Sequence, residues 1–300
     1  IKFIKKNKIA LISFLLLFIL GNISVIKYAQ NRKLQVDYCY DSYNQCINNS
    51  EYYNNFKDYC DKLPDYEHVC ISDTPTILYT LINGSVFGII VYFGPLFVII
   101  PAMWNVQKEV NSNFSKLYLT RKNYKSYIKR MLKEVYKNIW ILPTIILYLF
   151  ICAYMLSGHF DYHFSYDSSY ATYEIQYLKN FGVFFICYIM NFLGQSILYI
   201  NLGLISLRKS KNIIITILEA YLLFIGIEIF LEVFLNNFIL YSIFGINLFG
   251  FLNILDIYTF SYTIGLIPYL SLSFTIVLLS FIVLKLLYKN KEKTFIEWEK

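Results

Sequence analysis

The sequence predicts an all-α protein that crosses a membrane several times, and three observations carry that prediction. Apolar residues make up 57% of the 300 positions and charged residues 16%, against a globular norm of about 45–50% and about 25%. Those apolar residues lie in uninterrupted runs, with a mean hydropathy of +0.48, and runs of about 18 or more with almost no charge are long enough to cross a hydrocarbon core. Lys and Arg fall unevenly among the segments between the runs, as the positive-inside rule requires. A soluble enzyme and a nucleic-acid-binding domain are excluded as the main reading. The net charge of +7 therefore has to be read segment by segment.

Six spans follow in order within a single transmembrane domain, 1–300, and they must be helical because lipid cannot satisfy free backbone amides. The first, 9–26, holds the LISFLLLFIL run. Its basic head resembles a signal peptide, but no small-x-small cleavage site follows, so it is read as a retained span. The second, 77–100, closes on Phe93-Gly94-Pro95 and carries Gly84 and Gly88, a GxxxG spacing that permits close helix approach between subunits or within one. The third is 139–156, the fourth 180–207, the fifth 213–235 and the sixth 263–287. The segment 238–260 is apolar but interrupted by Gly245, Asn247, Gly250, Asn253 and Asp256. It reads as a seventh span or as a re-entrant pair of short helices. Six spans with both termini cytoplasmic put 21 of the 27 basic residues on the inside, whereas a seventh would carry the basic tail outward. The charge distribution selects six spans and a re-entrant 238–260.

The segment 27–76 is then the one sizeable outer insertion. It is acidic, rich in Tyr and Asn, and contains Cys39, Cys46, Cys60 and Cys70. An even cysteine count in a small outer segment points to two disulfides. Three connectivities are open, of which pairing by neighbours, 39–46 and 60–70, makes two hairpin-like loops. His68 beside Cys70 lacks zinc-site spacing, and His159, Asp161 and His163 read as a polar membrane-surface cap rather than a metal site.

Residues 105–138 are the most informative. Val106, Val110, Phe114 and Leu117 form one apolar stripe, predicting a helix over 106–118. Thr120 is the expected N-cap of a second, strongly basic amphipathic helix over 122–138 that leads into the third span. Interfacial helices held to anionic lipid are one reading. The order of six spans, a short amphipathic helix bearing Glu109, the stretch LYLTRKNYKSYIKRML and an interrupted segment before the last span together resemble the type-2 ABC transporter permeases. That resemblance implies a homodimer, or a pseudo-dimer with a related permease. It implies a separate ATP-binding cassette subunit that supplies ATP and Mg, and a coupling helix at 106–118, with Glu109, Arg121 and Lys122 near the ATPase surface.

Within the spans, Glu228 and Glu232 are four residues apart on one face, extended by Tyr221, and Glu219 lies on the opposite side. A carboxylate in hydrocarbon must be paired, protonated or water-facing. The pair reads either as part of a translocation path, together with Asn83 and Ser85, or as a structural pair bonded to polar groups of 238–260. No phosphate-binding loop, HExxH or GxSxG motif is present, so the chain itself is not expected to be an enzyme. Abundant Ile, Lys, Asn and Tyr suggest an AT-rich genome and a Gram-positive plasma membrane. The expected function is an ATP-driven exporter of an amphipathic peptide, lipid-like or drug-like cargo. The alternatives are an ion-coupled carrier using Glu228 and Glu232, or a receptor or immunity protein using the outer cysteine segment.

Overall fold

The computed structural model describes residues 8–60, 73–112, 118, 123–158, 180–208, 210, 212–246, 248, 252–259 and 266–290. Among these residues every regular element is helical and none is a strand. Six helices are long and apolar enough to cross a bilayer, so the chain is an all-α, multi-pass membrane protein.

Helix α1, Lys8–Asn48, runs 41 residues, about 60 Å at 1.5 Å per residue. It continues well past the expected end at 26, because residues 27–48 contain no Gly or Pro and nothing in them ends a helix. Two short helices follow, α2 (Ser50–Asn55), whose N-cap Asn49 accepts from the Glu51 and Tyr52 amides, and α3 (Lys57–Cys60). A disulfide joins Cys46 to Cys60. The neighbour pairing 39–46 and 60–70 is thereby overturned. A helical Cys46 with two short helices after it presents its sulfur to the end of α3. Cys70 and the Cys39 side chain lie outside the described residues, as do His68, His159, Asp161 and His163.

The expected span 77–100 is two helices. Helix α4, Thr74–Ile82, starts on Asp73, which accepts from the Thr76 amide at 2.7 Å, with Pro in its first turn. It stops at Asn83, whose side-chain amide donates to the Tyr79 carbonyl. Helix α5, Ser85–Asn111, then runs through Pro95 and Pro101 without ending. Gly84 falls in the break between them, and a Cβ on Gly88 would meet nothing within 4 Å. Among the described residues the GxxxG spacing therefore brings no second helix close.

Helix α6, Tyr124–Val135, is capped by Asn123 rather than by Thr120, the Asn123 side chain accepting from the Ser126 amide at 2.9 Å. One tight 3-10 stretch, Tyr136–Trp140, leads into α7, Ile141–Ser157. Gly158 ends α7 with a φ of 77°, a left-handed turn that Gly adopts without strain. Helix α8 is Phe181–Leu207. Helix α9, Ile213–Ile229, widens into a π-helix over Phe230–Tyr241 and closes with one α-turn, Ser242–Phe244, at Gly245. The fifth span thus runs past its expected end at 235. Helices α10, Ile254–Thr259, and α11, Leu266–Leu287, complete the described chain.

The chain divides into two compact units. One comprises Phe18–Ile89 and Ile145–Phe184. In it α1 and α7 meet at Gly21, where a Cβ would sit 2.8 Å from Ile145, and Tyr148 donates to Asn22 at 2.6 Å. Arg32 donates to the Leu156 carbonyl at 2.5 Å, and the Thr74 and Ser157 hydroxyls are bonded.

The other unit comprises Ile1–Leu17, Ile90–Thr144 and Phe185–Lys300. Its core is built around α8, whose Phe192, Tyr199, Ile200 and Leu204 are fully buried. Gly203 lets α5 approach closely, since a Cβ there would lie 3.0 Å from the Met103 sulfur. Polar bonds tie the helix ends together. Arg208, only 4% exposed, donates to the Leu287 carbonyl, and Tyr288 donates to the Leu204 carbonyl at 2.8 Å. Gln107 on α5 donates to the Ser210 carbonyl at 2.9 Å and accepts from Thr216 on α9.

Candidate functional site

Both groups of residues that the sequence marks for function in the larger unit can be located. The first lies where α5 ends. Val106, Glu109 and Val110 occupy the last turns of α5 rather than a separate helix, because the apolar period of the second span continues into them without a breaker. Val106 and Val110 are buried and belong to the core. Glu109, on the flank of that turn, accepts from Arg130 of α6 at 2.6 Å. The Arg130 guanidinium also lies over the Tyr118 ring, 5.2 Å from its centre, a cation–π contact. Tyr118 in turn stacks near Tyr127 of α6, ring centres 5.7 Å apart. Beside this clasp, Lys108, Glu109, Asn111 and Ser112 line an open hollow of about 570 Å³. Phe114, Leu117, Arg121 and Lys122 lie outside the described residues.

Helix α6 has a buried edge of Tyr127, Met131 and Val135 and a solvent-facing basic side. Its Tyr124 donates to the Tyr288 carbonyl at 2.9 Å. Just past the end of α6, Tyr136 donates to Asn201 of α8, whose amide donates to Ser280 of α11 at 2.7 Å. The α5–α6 clasp is therefore linked by hydrogen bonds through α6 to both α8 and α11.

The second group is the carboxylate pair. Glu228, in the last turn of α9, accepts from the Ile254 amide at 2.7 Å, and Glu232 accepts from the Asn253 side-chain amide at 3.1 Å. Asn253 closes the set by accepting from the Asp256 amide at 3.0 Å. One turn beyond Glu232, the fully buried Asn236 accepts from the Leu248 amide at 2.8 Å. From Phe230 onward the helix is π-wound. A π-turn advances side chains differently from an α-turn, and here Glu228, Glu232 and Asn236 all reach the segment 248–254. Of the two readings open in the sequence, bonding to polar groups of 238–260 is the contact observed. Tyr221, two turns earlier, donates to the Tyr92 carbonyl at 3.4 Å.

Asn83 and Ser85 belong to the smaller unit. Both are exposed, Asn83 closing α4 and Ser85 accepting from Lys27 at 3.2 Å. Glu219 faces a separate hollow of about 510 Å³ with Ser206 and Gly226.

One polar row was not singled out from sequence. On α8, Asn191, Gln195, Ser196 and Asn201 are all buried. Asn191 donates to the Ile257 carbonyl of α10 at 2.7 Å, and Gln195 donates to the Tyr199 hydroxyl at 2.7 Å. Amides at four-residue spacing in an otherwise apolar span were the available signal, since such groups are costly in a membrane and bond across helices.

Among the described residues no cluster of three or more His, Cys, Asp or Glu is arranged to hold a metal. The geometry provides an ion-pair clasp at one end of α5 and a neutral-donor cradle for two carboxylates at the end of α9. No family model, curated protein or solved structure matches the chain.

Proposed function

We propose that the chain is the membrane subunit of an ATP-driven transporter, built like a type-2 ABC permease, with ATP hydrolysed by a separate subunit. The observation that carries this reading is the clasp between Glu109 and Arg130. It joins the end of one span to the amphipathic helix that runs directly into the next, so a push on either is passed to both. The hollow at Lys108–Ser112 supports it as a surface for such a partner.

In this reading the α5–α6 end faces the cytoplasm, both termini lie there, and the membrane is a plasma membrane. The last turns of α5 take the part of the coupling helix. Two copies, or one copy and a related permease, would frame the path. The segment 248–259, held by Glu228, Glu232, Asn236 and Asn191, takes the part of the outer re-entrant helices. Cargo would be an amphipathic peptide, lipid-like or drug-like molecule moving outward, consistent with the apolar and aromatic character of the helices.

The test is purification of the tagged chain from its native membranes in mild detergent. An ATPase subunit lacking membrane spans should co-elute, with ATP hydrolysis in the eluate. Glu109→Lys should remove most of it, because two cations would then face each other. Transport by the chain alone in proteoliposomes, driven by a pH gradient without ATP, would overturn the proposal in favour of an ion-coupled carrier.

A further inference from the structure

A groove of about 930 Å³ runs between α6 and the last turns of α11, within the range of small-molecule sites. Its floor is apolar, formed by the buried Met131 and Leu284, and its walls carry Ile128, Leu132, Phe281 and Leu286. Phe281, Ile282 and Leu286 are exposed on a spanning helix, so the apolar side of the groove opens onto lipid.

Four lysines line the same groove. Lys125 and Lys129 are one turn apart on α6, Lys285 lies in the last turn of α11, and Lys289 follows just past its end. Among its described lining residues there is no carboxylate. The two described carboxylates of the α5–α6 region are already engaged, Glu109 by Arg130 and Glu134 by Lys137. All four lysines are exposed, so their charges rim the mouth of the apolar slot. An apolar slot open to acyl chains and rimmed by cations matches one class of molecule. Basic pockets between membrane helices bind anionic headgroups in this manner.

We infer that this groove is a binding site for one anionic phospholipid, its phosphate held among Lys125, Lys129, Lys285 and Lys289 and an acyl chain lying along Ile128, Leu132 and Phe281. The lipid would fasten α6 to α11, beside the Tyr124–Tyr288 bond. This inference requires only that the chain is a membrane protein and is independent of the transport reading.

The delipidated full-length chain in detergent is titrated with dioleoylphosphatidylglycerol or with dioleoylphosphatidylcholine, and bound lipid per chain is read by native mass spectrometry. The anionic lipid should saturate at one per chain, at least tenfold more tightly than the zwitterionic one. The combined variant K125Q/K129Q/K285Q/K289Q should lose that preference, while K133Q, one turn further along the same helix and outside the groove lining, should keep it. Should the fourfold variant not fold, I128W fills the slot with all charges intact and should abolish the saturable binding. Equal binding of the two lipids, non-saturating uptake, an equal loss in K133Q, or undiminished binding in I128W would each overturn the site. Displacement of the lipid by inorganic phosphate at equal concentration would also overturn it, since the apolar slot would then contribute nothing.

Discussion

Glu109 and the pair Glu228 and Glu232 solve the same problem, a carboxylate on an apolar helix, in opposite ways. Glu109 is matched by a full positive charge, the Arg130 guanidinium, at a place where both side chains remain partly in water, 27% and 38% exposed. Glu228 and Glu232 are matched by neutral donors, one backbone amide and one side-chain amide, both from the short segment 253–254. An exposed ion pair is weak, screened by salt and easily exchanged. A carboxylate that supplies the acceptor for a partly buried backbone amide is expensive to remove, because the donor is left with nothing. The first arrangement suits a joint that opens and closes. The second suits a fixed anchor for an irregular segment.

The contrast is most directly broken at Glu228. Glu228→Leu leaves the Ile254 amide without its acceptor and should cost about 1–3 kcal/mol, read as a lower unfolding temperature in detergent. Glu228→Gln keeps a carbonyl acceptor and should recover most of the loss. Equal losses in the two variants would show that charge, not the amide contact, is what matters there. Glu232→Leu removes a hydrogen bond to a side chain that can turn to other partners. Its cost should be nearer 1 kcal/mol, accompanied by faster amide hydrogen exchange over 252–259. Exchange unchanged from the parent would mean that Glu228 alone orders the segment.

Much of this was legible in the sequence and the rest was not for identifiable reasons. The six spans follow from unbroken apolar runs, which is a local property. The length of α1 is not legible because Leu34–Asn48 is polar, which points to a loop although no residue there stops a helix. The break at Asn83–Gly84 was masked by apolar residues on both sides. Bonds from Glu228 and Glu232 to 238–260 are one reading the sequence offers, but the choice of Asn253 and Ile254 is a tertiary contact 21 and 26 residues away that no apolar period reports. Glu109 and Arg130 are 21 residues apart and sit on different helices, so their pairing is tertiary and invisible to spacing. Cys46–Cys60 is of the same kind, since cysteine counting fixed the number of candidates but not the partners.

The smallest effect tests the comparison most sharply. A double-mutant cycle on Glu109→Gln and Arg130→Gln should give a coupling of about 0.2–1 kcal/mol, as for other exposed pairs. It should shrink further when the ionic strength is raised from about 0.05 to about 0.5 M, where the screening length falls well below 10 Å. The loss caused by Glu228→Leu should not change over that range, because its partner carries no net charge. The Tyr118 ring complicates the expectation in a useful way. Arg130 lies over that ring as well as beside Glu109, and a cation–π contact contributes about 0.5–1 kcal/mol at an exposed site. Arg130→Gln alone should therefore destabilise more than Glu109→Gln alone. Equal single losses would mean that the ring contributes nothing and that the clasp is held by its ion pair only. A coupling well above 1 kcal/mol that is insensitive to salt would make the joint as fixed as the anchor, and the distinction between the two would fail.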